Sequence, residues 1–111
     1  MSHRSWKFRF EDILEALDRI FRYVKDLNYD GWMKDQKTID AVIRNLEIIG
    51  EAAANVPQEI QDLYVDIPWY QMKGMRNILI HEYFGVDNDV LWNTIKKDLP
   101  VLKEKFQSIE L

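Results

Sequence analysis

The chain of 111 residues is 47% hydrophobic and 13% aromatic, and it carries a formal net charge of −4 at pH 7. This length predicts one domain over residues 1–111 with enough apolar residues for a core, and the composition excludes a disordered chain. The acidic balance counts against a general nucleic-acid-binding protein, although an acidic average can hide a basic cleft.

The sequence contains no cysteine, which excludes a disulfide scaffold and a thiolate metal site and favours a reducing compartment. No apolar run approaches the roughly 20 residues that span a bilayer. The basic first residues lead into an amphipathic segment and not into a signal-peptide core. We therefore expect a cytoplasmic protein without a membrane partner.

A first helix is predicted from about residue 5 to about residue 27, because apolar residues recur there at spacings of three and four. Residues 28–31, with the sequence Asn-Tyr-Asp-Gly, are typical of a turn that ends this element. The apolar stripe of the helix consists of Phe10, Ile13, Leu14, Leu17, Ile20, Phe21 and Val24.

A second helix is predicted from its N-cap, Asp35, to about Asn55. Gly50 interrupts this helix, and a glycine inside a helix costs about 1 kcal/mol relative to alanine. We therefore expect that Gly50 lets another backbone approach closely. The inward side of the helix is predicted to comprise Ile39, Val42, Ile43, Leu46, Ile49 and Ala53.

Two prolines mark the next two elements. Pro57 is expected to open a short helix that continues through Tyr64. Pro68 suits the first turn of a longer helix, which is expected to stop at Gly85.

The last predicted helix begins after an N-cap among residues 87–89 and runs towards Phe106, and Pro100 is expected to kink or divide it. No β-alternation of useful length occurs in the chain. The sequence therefore predicts an all-α, mostly antiparallel bundle of four long helices plus a short one. The inward residues of the last helix are predicted to be Leu91, Ile95, Leu99, Leu102 and Phe106.

The helix after Pro68 holds the residues with the clearest chemistry. His81 is the only histidine outside the N-terminal tail, and imidazole exchanges a proton near neutral pH. Arg76 is permanently charged and binds phosphate oxygens in a fork, while Asn77 can orient the imidazole or bind a phosphate. These residue types suit metal-free RNA cleavage, with His81 as general base or acid and Arg76 stabilising the phosphorane. A lone histidine stabilised by the helix dipole is the structural alternative, and residue types alone leave both open.

Helix geometry separates the two candidate catalytic residues. At about 100° per residue, Arg76 and His81 lie about 140° apart around an ideal helix, whereas Asn77 and His81 stack one turn apart. Arg76 and Tyr83, seven residues apart, lie within about 20° of each other. One helix would struggle to bring Arg76 and His81 to one phosphate, whereas two copies related by a twofold axis could share a groove. Distortion near Gly85 is the competing explanation, and we favour the dimer.

The spacing Arg-x4-His, with a tyrosine two residues after the histidine, resembles the motif of HEPN ribonucleases in the variant found in HepT-like toxins. The resemblance extends over nearly the whole chain and includes residues 11–16, 40–52, 67–69, 74–77, 81–86 and 90–92. It implies a HEPN-like helical bundle, a homodimer, and ribonuclease toxicity towards mRNA or tRNA with Arg76 and His81 as the catalytic pair.

The same resemblance implies an antitoxin with a minimal nucleotidyltransferase fold that transfers AMP to Tyr83. AMP on Tyr83 would place a negative phosphate beside Arg76 and would repel RNA. The structural alternative for Tyr83 is an amphipathic residue at the rim of the fold with its hydroxyl in water.

Further residues carry weaker signals. Arg44 and Glu51 share a helical face with Glu47, and they could support the site, bridge subunits, or simply form a solvated face. The four tryptophans could stack on bases, but in a small bundle they more often lie in the core or an interface. No His-x-x-x-His or Glu-x-x-His spacing occurs, so no metal or other cofactor is expected.

The sequence is also compatible with two functions other than a ribonuclease toxin. A non-catalytic HEPN module that binds a nucleotide, or serves as a scaffold for its nucleotidyltransferase partner, suits the acidic net charge. A purely structural dimeric bundle explains the core but leaves the polar residues of an apolar helix unexplained.

Overall fold

The computed structural model describes residues 4–81 and 87–109, with side chains for residues 6–76 and 87–109. These residues are mostly helical and contain no β-strand, which confirms the all-α prediction. None of the helices within these ranges is long and apolar enough to cross a bilayer. The helices are α1 (Arg4–Val24), α2 (Tyr29–Met33), α3 (Gln36–Ala54), α4 (Gln58–Gln61), α5 (Trp69–His81), α6 (Asn88–Asn93) and α7 (Leu99–Gln107).

A π-helical turn, Thr94–Asp98, joins α6 directly to α7. Together with α1, α3 and α5, this composite helix gives the four long helices that the sequence predicts. Pro100 lies in the first turn of α7. Because proline lacks an N–H group and its ring crowds the preceding turn, the wider π-turn before it is the expected distortion of the helix.

The structure contains a second short helix, α2, at residues whose sequence predicted a turn. The side chain of Asn28 caps α2 by accepting a hydrogen bond from the backbone N–H of Gly31 at 2.8 Å. The predicted turn residues therefore start a helical turn, and α1 ends at Val24 rather than near residue 27. The other short helix, α4, lies inside its predicted range.

The helix α3 is central, because it packs against α1 on one side and α5 on the other. Arg19 of α1 contacts Asn45, whereas Arg9 lines the same recess as Glu51, so α1 and α3 run antiparallel. The inward residues predicted for α3 and for the last helix are all buried. In α1 only Leu14 and Phe21 depart from that prediction, and both are half-buried against the same core.

Aromatic side chains form one end of the core. The ring of Phe10 lies 5.4 Å from that of Phe106 and 5.7 Å from that of Trp69, between ring centroids. Trp32 and Trp69 are buried, while Trp6 and Trp92 are half-buried against the core. The tryptophans therefore serve packing, and they do not form an exposed platform for base stacking.

Gly50 lies in the contact between α3 and α5. A Cβ atom built on Gly50 would lie 2.3 Å from the Cβ atom of Arg76, a separation that real Cβ atoms do not show. The predicted close approach is therefore confirmed, and the neighbouring element is α5. Glycine at this position sets how closely Arg76 approaches α3.

Candidate active site around Arg76

Apart from Tyr83, the candidate site residues predicted from the sequence lie on α5 and α3. Arg76 lies in the C-terminal half of α5, and His81 is the last residue of that helix. Because α5 is α-helical throughout Trp69–His81, positions 76 and 81 lie about 140° apart around its axis. The side chains of Asn77 and His81 lie outside those described, and Tyr83 and Gly85 lie outside the described residues.

Arg76 is held by an ion pair with α3. Its Nη1 atom donates a hydrogen bond to Oε2 of Glu51 at 2.7 Å. The Arg76 side chain is 28% exposed and that of Glu51 is 57% exposed. An exposed pair of this kind contributes little to folding, so its main consequence is to orient the guanidinium group beside solvent.

Glu51 is held from a second side. Asn55 donates from Nδ2 to Oε1 of Glu51 at 3.2 Å and to the Glu51 backbone carbonyl at 2.8 Å. The hydrogen bond from Arg76 is the largest cause that lowers the pKa of the Glu51 carboxyl, followed by the hydrogen bond from Asn55. Glu51 is therefore ionised at neutral pH, as the counter-ion of Arg76 requires.

A shallow recess of about 300 Å³ opens between α1 and α3 beside this ion pair. Arg44 lines this recess, and within the described side chains it forms no salt bridge. Of the two supporting residues predicted on α3, the structure brings Glu51 onto Arg76 but leaves Arg44 in the recess. The complete lining comprises Arg9, Asp12, Arg44, Glu47, Ile48, Glu51 and Ala52.

Sequence reasoning did not single out Arg9. Arg9 lines the recess together with Glu51, and the charge of Arg9 is a further cause that lowers the pKa of Glu51. The available signal was weak: Arg9 belongs to a basic N-terminal stretch and precedes the buried residue Phe10. Nothing in the local pattern indicates that this flank of α1 faces Glu51.

A larger, mainly apolar cavity of about 430 Å³ lies between α3, α5 and the last helix. Ile49, Met72 and Met75 contribute to its wall, but Arg76 does not. Within the described residues, no group of three or more acidic or histidine side chains is placed to hold a metal ion. Arg76 and Glu51 therefore form the polar centre of the candidate site in the described structure.

Three buried polar side chains away from this site have structural partners. Asn45, Gln61 and Thr94 each donate a hydrogen bond to a backbone carbonyl, at 2.9, 3.0 and 2.9 Å. Such pairing removes the cost of burying a polar group and leaves these side chains without an evident chemical role.

The chain is similar in sequence to a known protein family and to several known proteins. The sequence pattern of the family described as "Ribonuclease HepT-like" matches residues 13–109. The chain is 48% identical over 106 residues to "Probable ribonuclease HepT" of Thermococcus cleftensis, covering 96% of each chain. It is 38% identical over 109 residues to a "Putative RNase" of Methanocaldococcus jannaschii, covering 98% of this chain and all of the relative. No solved structure matched the chain.

Proposed function

Because the chain belongs to the HepT-like ribonuclease family, we propose that it is a metal-independent endoribonuclease and the toxin of a toxin–antitoxin system. The structural observation that carries this proposal is the arrangement around Arg76. Its backbone is seated on Gly50, and its guanidinium group is oriented beside solvent by the ionised Glu51. A phosphate can replace that carboxylate without a change in the sign of the charge that Arg76 binds.

In the proposed reaction His81 accepts the proton of a ribose 2′-OH, whose oxygen attacks the adjacent phosphorus. The bond from phosphorus to the 5′ oxygen of the next nucleotide then breaks. That oxygen takes up a proton from the imidazolium form of a His81 side chain in the groove. Arg76 stabilises the negative charge that develops on the phosphorane oxygens. The products are a 2′,3′-cyclic phosphate and a 5′-OH end, and Asn77 supports the imidazole or the phosphate.

We propose that the site belongs to a homodimer. Positions 76 and 81 of a regular helix lie about 140° apart around its axis, which supports a site that takes one residue from each of two chains. Two copies of α5 across a twofold axis can present Arg76 from one chain and His81 from the other to a shared groove. The substrate proposed for this groove is cytoplasmic mRNA or tRNA.

Regulation by a nucleotidyltransferase-fold antitoxin completes the proposal. This partner would transfer AMP to Tyr83, which follows Arg76 by seven residues in the sequence. If the helix continued to Tyr83, the two residues would lie within about 20° of each other. An added phosphate would then compete with RNA for Arg76 and would also block the groove sterically.

Cleavage of end-labelled tRNA and mRNA by unmodified protein in EDTA tests the enzyme. We expect products with 2′,3′-cyclic phosphate ends from the wild type. We expect no such products from the His81→Ala variant, provided that its helical content equals that of the wild type. Cleavage that persists in folded His81→Ala would remove His81 from the reaction. Cleavage that requires a divalent metal would contradict the metal-independent mechanism.

Two observations favour a second candidate function. The guanidinium of Arg76 is already occupied by Glu51, and the chain has a net charge of −4. Both features suit a non-catalytic module that binds a nucleotide, or serves as a scaffold for its nucleotidyltransferase partner, and does not cleave RNA. Absence of cleavage by verified unmodified dimer would favour this module over the enzyme.

A further inference from the structure

A second guanidinium group faces the carboxylate that holds Arg76. Arg9, on the second turn of α1, is half-buried and lines the recess in which Glu51 lies. Among the described side chains Arg9 forms no salt bridge. Glu51 is therefore flanked by Arg76 of α5 and by Arg9 of α1, and of these two arginines Arg76 is the one hydrogen-bonded to it.

The charges are unevenly distributed along the recess. At the end next to α5, the two guanidinium groups of Arg9 and Arg76 outnumber the carboxylate of Glu51. Arg44 precedes Glu51 by seven residues, about 10 Å along α3, and it shares the recess with Asp12 and Glu47. Glu47 lies between Arg44 and Glu51 on α3, and Asp12 lies one turn after Arg9 on α1. The place at which a polyanion would bind is therefore where the guanidinium groups of Arg9 and Arg76 flank Glu51, and not the recess as a whole.

We propose that Arg9 binds the RNA phosphate adjacent to the one held by Arg76, so that the RNA backbone crosses α3 above Glu51 towards α1. This inference rests on the ribonuclease function proposed above. Arginine suits the role because its planar group binds two phosphate oxygens at once and always carries its charge. In the protein without RNA, Glu51 supplies the negative charge that the two phosphates replace.

The sequence before Arg9 is basic. Residues 1–9 contain Arg4, Lys7 and Arg9 but no acidic residue, whereas residues 57–66 contain three acidic residues and no basic one. Arg9, which lines the recess, is therefore the last residue of a basic stretch of the sequence. Positive charge before Arg9 favours the binding of a polyanion by an otherwise acidic protein.

Binding of a fluorescent single-stranded RNA, measured by anisotropy over a series of salt concentrations, tests Arg9. All proteins carry His81→Ala so that the RNA stays intact. Arg9→Gln is expected to weaken binding about three- to tenfold and to reduce the salt slope by about 0.7, the contribution of one phosphate contact in a single strand. The matched control is Arg22→Gln, an exposed arginine on the same helix that lines a different recess.

A conservative variant separates charge from packing. Arg9→Lys is expected to restore at least half of the lost slope, because it restores the charge, and circular dichroism should show equal helicity for every variant. Equal affinity and slope for Arg9→Gln and Arg22→Gln would overturn the proposal while leaving the ribonuclease function intact. If the unsubstituted protein cleaves no RNA and the His81→Ala parent binds none, the ribonuclease function fails and the role of Arg9 falls with it.

Discussion

The Cβ atom of Arg76 occupies the space that a side chain on Gly50 would need, with only 2.3 Å between it and an ideal Cβ at that position. The residue that positions the candidate catalytic arginine is thus a glycine on another helix, 26 residues earlier in the chain. The next residue of α3, Glu51, then binds the guanidinium group. Adjacent residues of α3 therefore fix both ends of the Arg76 side chain.

We predict that Gly50→Ala destabilises the fold by about 1–3 kcal/mol, because the added methyl group forces α3 and α5 apart. The same displacement moves Arg76 and should lower the rate of RNA cleavage. Chemical denaturation and a cleavage assay on the folded variant measure the two effects.

Gly74 provides the matched control for this substitution, because it lies on α5 with no atom within 4 Å of its ideal Cβ. Gly74→Ala should stabilise the helix by up to about 1 kcal/mol, since alanine is the better helix former. If both alanine variants changed the free energy of unfolding alike, the tight contact at Gly50 would not have the assigned role.

The ion pair predicts a dependence of stability on pH. Arg76 lowers the pKa of Glu51 in the folded state from its usual 4.5. The pair therefore stabilises the fold fully above the unfolded pKa, and this stabilisation is lost as the pH falls through the lower folded pKa.

Glu51→Gln removes this titration and keeps a hydrogen-bonding side chain of similar size. The difference in free energy of unfolding between wild type and variant should favour the wild type near neutral pH and should shrink as the solution becomes acidic. Urea titrations at a series of pH values measure it, with Glu47→Gln as a control from the same recess. A difference that grew towards acid would contradict the assigned pKa direction.

The helices whose bounds the sequence predicted best are long and have a clear N-cap residue. The predicted bounds of α3 agree with the structure within one residue, because Asp35 accepts a hydrogen bond from the backbone N–H of Thr38 and so fixes its start. The short helix α2 was missed because glycine within residues 28–31 is typical of a turn, whereas Asn28 caps a helix there. Pro100 predicted that the last helix is kinked or divided, but it did not predict that the distortion is a π-helical turn.

The candidate site was predictable only in part. Arg76 and Glu51 stood out by residue type, and Gly50 indicated a close helix contact, but no local pattern pairs residues 25 positions apart. That pairing depends on how α3 packs against α5, which is a property of the whole core. The position of Arg9 similarly depends on the antiparallel arrangement of α1 and α3.

Tyr83 provides a test of regulation that does not depend on RNA cleavage. Coexpression with the proposed nucleotidyltransferase antitoxin should increase the mass of the protein by one or more AMP units, located on Tyr83 by peptide mass spectrometry. Tyr83→Phe lacks the acceptor hydroxyl and should remain unmodified, while Tyr70→Phe, an exposed tyrosine on α5, should be modified like the wild type. An unmodified Tyr83 after coexpression would remove AMPylation as the means of control.

A shared groove predicts complementation between two inactive variants. If Arg76 of one chain works with His81 of the other, a dimer of Arg76→Ala with His81→Ala contains one intact site and one doubly defective site. Random exchange in an equal mixture makes half of the dimers mixed, so about one quarter of the wild-type activity should return. Each variant alone should remain inactive.

The arrangement in which both residues act from one chain gives a different result, since every site would then lack one of the two groups and the mixture would stay inactive. The measurement is cleavage of a labelled RNA after the two purified variants have exchanged subunits, with exchange verified by affinity tags on one variant. Recovered activity near one quarter would assign the groove to both chains. Mixed dimers without activity would place Arg76 and His81 in one chain and would contradict the shared groove.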